Sequence, residues 1–344
     1  MLKKKFGMIT SLAVAGSVLL AGCGDEETPL EEGAEEEVVE EGAEEEVVEE
    51  EAAEFPEFVS ILTGGTTGTY YPLGGAMAAI IEEATGVNVT AESSQASAAN
   101  VAALADGDAE MAFVQTDIAY YASEGLMMFE ETGAVEDIAA MGVLYPETIQ
   151  LVTTADSGIT SFDDLEGKSI SIGAPGSGTA ANAEQLLEVH GLTLDDIEAQ
   201  NLDFGESQES LQAGQIDAAF ITSGTPTGAV ESLNAVADVV IVPVEADMAE
   251  ALIEQYPYYA NDVVPAGTYG LTEEVPTVSV MAMMVVSEEL SADFVYEATK
   301  AIYENTDEIT HAKAALINAE TALDGVGIDV HPGAQLYFDE VLGE

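Results

Sequence analysis

The 344-residue sequence contains no arginine, no tryptophan, one cysteine and only six basic residues, all lysine. Set against 66 Asp and Glu, these leave a formal net charge of -60. Affinity for nucleic acid rests on Lys and Arg neutralising phosphates, so this balance excludes DNA and RNA as partners. A single cysteine excludes an intramolecular disulfide. The chain also lacks a Walker lysine, a G-x-S-x-G elbow and any zinc signature. His190, His311 and His331 are dispersed along it, which points to structural or surface roles. Neither cofactor nor metal is expected, and no constellation supports covalent catalysis.

What is present begins with an export signal. Lys3, Lys4 and Lys5 precede the apolar segment MITSLAVAGSVLLA, which is too short and wrongly flanked to span a membrane. It ends in LAGC, the pattern of a bacterial lipoprotein, so residues 1–23 read as a signal peptide with Cys23 as the lipidated residue. Residues 24–54 carry EEGAEEEVV twice in tandem. Like charges at that density repel, and the segment is expected to be an extended acidic tether.

The acidity continues beyond the tether, where 49 acidic residues face only Lys168, Lys300 and Lys313. Such self-repulsion destabilises a compact state in dilute buffer and is used by halophiles. The expectation is an exported protein in concentrated brine whose carboxylates hydrate the surface, so a chance pair of them carries little weight as an acid/base site.

From Phe55 onward, short β-rich runs alternate with helical patterns, which predicts an α/β fold with largely parallel sheets. Apolar residues make up 47% of the chain, enough for one or two cores. The order strand, polar loop, helix occurs in two passes. Leu104, Gly107, Glu110, Ala112 and Phe113 recur at identical spacing as Leu211, Gly214, Asp217, Ala219 and Phe220. In each copy the glycine would end a helix and the acid would open a strand. Two similar lobes follow.

Ligands of open α/β sheets sit beyond the carboxyl ends of the strands. Here those ends carry GGTTGTYY, SSQAS and QTD in one pass, and PGSGT, DFGES and TSGTPT in the other. GGTTGTYYPLGG, residues 64–75, looks like a phosphate cradle but lacks both a lysine after its glycines and G-x-G-x-x-G spacing. The six loops instead predict a polar cleft closing on a small solute. Its expected contacts are Thr66, Thr67, Tyr70, Ser94, Ser97 and Gln115 from one lobe, and Ser177, Gly178, Thr179, Thr222, Ser223 and Thr225 from the other. Asn100 and Asp117 are expected to orient loops, while Tyr256, Tyr258, Tyr259 and Tyr269 suit either the cleft mouth or packing. Without arginine, and with Lys168 at the far end of its strand, an anion would be held by hydroxyls, amides and the N-terminus of the helix after GSGT.

These motifs, with LYPE at 144–147, DLEGKSISIGAPGSGT, YPYY at 256–259, VPAGTY at 264–269 and HPGA at 331–334, resemble the TAXI group of TRAP transporter solute-binding proteins from about Val59 to Tyr337. Where that family usually has a loop like TGGSVEN this chain has SQASAAN, so Asn100 carries over and the glycine pair does not. The resemblance implies a type II periplasmic-binding-protein fold: two similar α/β lobes joined by a hinge, with the ligand cleft between them. It also implies capture of an amino acid or organic acid, glutamate-like or 2-oxoglutarate-like, for TRAP membrane subunits. Because such folds cross between lobes twice, lobe 1 is expected at 55–153 and 271–344, and lobe 2 at 154–270. The expected protein is a lipid-anchored, extracytoplasmic monomer and not an enzyme. The alternatives are an ABC-type or sensor-linked receptor, or an exported enzyme.

Overall fold

A computed structural model describes residues 55–343. The signal peptide, Cys23 and the tether lie outside the described residues. Strand β1 (Phe58–Leu62), helix α1 (Tyr70–Thr85), β2 (Asn88–Glu92), α2 (Ser97–Ala105), β3 (Met111–Gln115) and α3 (Thr116–Glu124) form the first pass. A long strand β4 (Ile138–Thr154) leads to the second: β5 (Ser169–Ser171), α4 (Gly178–Val189), β6 (Glu198–Gln200), α5 (Phe204–Gln212) and β7 (Ala218–Ser223). Then come α6 (Gly228–Asn234), β8 (Val239–Val242), α7 (Ala246–Gln255), β9 (Ala260–Val264), β10 (Val275–Ser287), α8 (Ala292–Glu304) and α9 (Pro332–Leu342).

All ten strands join one sheet, whose main path runs β2-β1-β3-β10-β4-β7-β5-β6. The expected parallel pairing holds toward both ends, where β1 lies between β2 and β3, and β5 between β6 and β7. The middle differs: β10 and β4 are antiparallel to each other and to β3 and β7 respectively. Strand β4 pairs with β10 over residues 138–148 and with β7 over residues 148–153. It therefore passes from one half of the sheet to the other.

Each half repeats the same plan. Alternation along β3 sends Met111 and Phe113 to one face and Ala112 and Val114 to the other, as the two-residue strand period requires. The first face packs under α1, α8 and α9 through Leu73, Met77, Phe294 and Phe338. The second packs under α2 and α3 through Val101, Leu104 and Ile118. In the other half, Ala218 and Phe220 of β7 face α4 and α7, while Ala219 and Ile221 face α5 and α6.

The sequence recurrence has a physical basis in this plan. Gly107 and Gly214 follow α2 and α5 with left-handed φ of 72° and 66°, which side chains rarely adopt. The acids that follow clamp the neighbouring strand. Glu110 Oε2 accepts the Ser60 N–H at 2.7 Å, and Asp217 Oδ2 accepts the Ser169 N–H at 2.9 Å.

Candidate functional site

A cavity of about 520 Å³, counting space open to solvent, lies where the two halves meet. Five helices begin at its wall: Tyr70 opens α1, Ser97 opens α2, Gln115 caps α3, Gly178 and Thr179 open α4, and Phe204 opens α5. First-turn N–H groups have no intrahelical acceptor, and the helix dipoles add positive potential. The wall thus favours an anionic group without needing a basic side chain.

Of the expected contacts, Tyr70, Ser94, Ser97, Gln115, Ser177, Gly178, Thr179, Thr222 and Ser223 line the cavity. Thr66, Thr67 and Thr225 do not. Thr66 is exposed at the tip of a turn closed by the Gly68 N–H to the Gly65 carbonyl at 3.0 Å. Thr67 bridges the halves instead, its carbonyl accepting the Ala229 N–H at 3.1 Å. The Thr225 hydroxyl is buried away from the cavity wall and has no hydrogen-bond partner among the described residues.

The two halves are in contact around the cavity. The Thr69 N–H donates to Ser223 Oγ at 3.3 Å, and Thr69 Oγ1 donates to the Gly224 carbonyl at 3.2 Å. The Ala98 and Ala99 N–H groups at the start of α2 both donate to the Gly176 carbonyl, at 3.0 and 3.1 Å. Beneath the cavity floor, Asn182 of α4 ties the halves together. Its Oδ1 accepts from Gln115 Nε2 and Thr222 Oγ1, both at 3.0 Å. Its Nδ2 donates to Asp117 Oδ2 at 3.0 Å and to the Tyr259 hydroxyl at 2.9 Å. Burial pushes Asp117 up to about 6, against the hydrogen bonds it accepts. An ionised Asp117 can only accept, which fixes the Asn182 amide and, through it, the Gln115 amide.

Asn100 Nδ2 donates at 2.8 Å to the carbonyls of both Thr63, just past β1, and Phe113, within β3. The four tyrosines are structural in this arrangement. Tyr259 bonds Asn182 and Gln185, Tyr269 bonds Gln150, Tyr258 packs on Tyr120, and Tyr256 bonds Glu188. His190 stacks on Phe162, while His311 and His331 cap helical turns. Among the described residues, no group of three or more His, Cys, Asp and Glu could hold a metal ion.

Sequence reasoning missed Thr69, Gln95, Asp203, Phe204 and above all Glu147, which also line the cavity. Phe204 was hidden because DFGES reads as a loop, whereas α5 begins inside it with Asp203 as its cap. Glu147 lies in the middle of β4, so a search of strand ends passes over it. It is 2% exposed and accepts a hydrogen bond from the Tyr70 hydroxyl at 2.5 Å. Burial pushes its carboxyl up to about 8, offset in part by the Tyr70 bond and raised further by the field of Asp117. Lys313 is the one basic residue among those that shift it, and it acts through its field. The Lys313 side chain is itself buried, beside Gly224 and Thr69.

The NMT1-like family profile matches residues 61–341. Among solved structures, the alkanesulfonate-binding protein SsuA from Xanthomonas axonopodis pv. citri, bound to MOPS, is 15% identical, with 83% of this chain and 84% of that one covered at a TM-score of 0.52. MatC from Rhodopseudomonas palustris, with bound malate, is 14% identical, with 84% and 98% covered at a TM-score of 0.53. At such identities the likeness establishes the fold, which is that of the periplasmic binding proteins.

Proposed function

Since the chain belongs to the NMT1-like family, we propose that it is the extracytoplasmic solute-binding protein of a transporter, and does not itself catalyse a reaction. The observation that carries this reading is the cavity between the two sheet halves, walled by helix starts from both. A solute held there touches both halves at once, so its binding free energy favours closure. The malate in MatC and the MOPS in SsuA, which carry a carboxylate pair and a sulfonate, support capture of a small solute with an anionic end on this fold. The solute is a small amino acid or organic acid of the glutamate or 2-oxoglutarate kind, handed to TRAP membrane subunits. Finding genes for those subunits beside this one would support that assignment; finding ATPase and permease genes there would support an ABC importer.

The two halves act as lobes pivoting where β4 and β10 change partners, near Pro146–Thr148 and Ser279–Met281. Lipid on Cys23 and the acidic tether hold a monomeric receptor at the outer face of a membrane, in brine. A thermal-shift screen of the full chain against amino and dicarboxylic acids, in dilute buffer and in multimolar salt, tests both parts. The expected results are stabilisation by members of one class and a higher Tm in high salt. No shift with any solute contradicts the receptor reading, and equal Tm in both salts contradicts the brine reading.

A further inference from the structure

The cavity wall offers donors on several sides: the first N–H groups of α1, α4 and α5 and the hydroxyl of Thr179. Two buried acceptors stand among them: Gln115 Oε1, which has no hydrogen-bond partner among the described residues, and the carboxyl of Glu147. The Glu147 carboxyl lines the cavity, and among the described residues only the Tyr70 hydroxyl bonds it, at one oxygen. The other oxygen is left for whatever enters. A buried carboxyl facing an anion-favouring wall gives the site a group that can ionise when a cation reaches it, which a pure anion does not use.

We propose that Glu147 selects the captured solute by pairing its carboxylate with an ammonium group on that solute. This deepens the solute-binding reading and rests on it. The anionic end of the solute meets the helix starts, while its ammonium meets Glu147 on the strand that crosses between the halves.

The groups facing Glu147 set its proton count. Tyr70 of α1 donates to it and Tyr145 lies two residues before it on β4. Asp117 of α3 raises its proton affinity, and Lys313, in the turn after α8, lowers it. Lys313 is shared with Asp262 of β9, and Asp203 at the start of α5 stands at the cavity wall. Burial dominates, so in the empty cavity at neutral pH the carboxyl holds its proton. An arriving ammonium stabilises the carboxylate, and that proton leaves to bulk water as the ion pair forms. Charge and proton balance: the carboxylic acid and the ammonium become a carboxylate–ammonium pair plus one released proton. A 2-oxo acid offers no cation there, so it binds with Glu147 protonated and releases nothing.

Calorimetric titration of the full chain with matched pairs tests this: alanine with pyruvate, aspartate with oxaloacetate, and glutamate with 2-oxoglutarate. Each is run in two buffers of different ionisation enthalpy. At pH about 7, the amino acid of the bound pair is expected to bind at least ~10-fold tighter than its oxo partner and to release close to one proton. Glu147→Gln is expected to abolish both the release and the preference, while oxo-acid affinity changes less than about threefold. Tyr70→Phe, which removes the one donor to the carboxylate, is expected to shift proton release to higher pH. An oxo acid preferred throughout, or amino-acid binding without proton release, overturns the assignment of Glu147 and leaves the receptor reading standing. Failure of all six solutes to bind overturns both.

Discussion

Alanine at position 178 is expected to weaken solute binding by roughly 10- to 2,000-fold while leaving the protein folded. A Cβ on Gly178 would stand 1.3 Å from Gln115 Oε1 and 3.0 Å from Ile118 Cγ1. Gln115 must then leave its place, which breaks its 3.0 Å bond to Asn182. The contact joins the start of α4 to the end of β3, so the strain falls between the halves and not within either core. Overpacking of this kind costs about 1–3 kcal/mol and the lost hydrogen bond about 0.5–1.5 kcal/mol. The sum, about 1.5–4.5 kcal/mol, corresponds to the stated loss of affinity, because only the closed state suffers it. Small-angle scattering without solute provides a second readout: the variant is expected to have the larger radius of gyration. A variant that binds its solute like the wild type and scatters identically would show that this contact does not govern closure.

The second large effect is a loss of stability as pH rises. Folded Glu147 binds its proton up to about pH 8, whereas an ordinary glutamate releases it near 4.5. Between those values the native state holds a proton that the unfolded chain has lost. The contribution is fully present below pH 4.5 and is lost as pH rises through 8. From pH about 5.5 to about 8.5 it amounts to about 3 kcal/mol. Asp117, held at about 6, acts in the same direction at lower pH. His190, His311 and His331 are lowered by burial and act in the opposite sense. Denaturant unfolding of wild type and Glu147→Gln at both pH values separates these, since the histidines and Asp117 are common to the two proteins. The variant is expected to lose about 3 kcal/mol less than wild type across the interval. Parallel pH dependence in the two would show that Glu147 is ionised in the empty cavity.

Both predictions turn on residues that differ in how far the sequence reveals them. Gly178 was legible: GSGT follows a short strand and opens a helix, and strand-end loops of an open sheet are where ligands sit. The same grammar located Tyr70, Ser97, Gln115 and Thr222, all of which reach the wall. The recurrence of Gly107 with Glu110 and Gly214 with Asp217 was legible for a related reason, since helix ends and strand clamps are short-range devices with fixed spacing. Glu147 was not. It closes the LYPE motif, but in a chain with 66 acidic residues nothing local marks that carboxylate as a cavity residue. What distinguishes it is a change of strand partner midway along β4, set by contacts with β10 and β7 more than 70 residues away. Thr66 and Thr67 mislead in the opposite way. They belong to the right loop, but its turn points one outward and uses the backbone of the other to join the halves.

Hydrogen–deuterium exchange of the full chain, with and without a saturating solute from the screen, tests the central claim most directly. The account predicts that slowed exchange appears together in residues 68–70 and 96–99 of one half and 177–180 and 204–207 of the other, with the midpoints of β4 and β10 protected as well. Protection confined to one half, or found only on the outer faces of the helices, would contradict capture between two closing lobes.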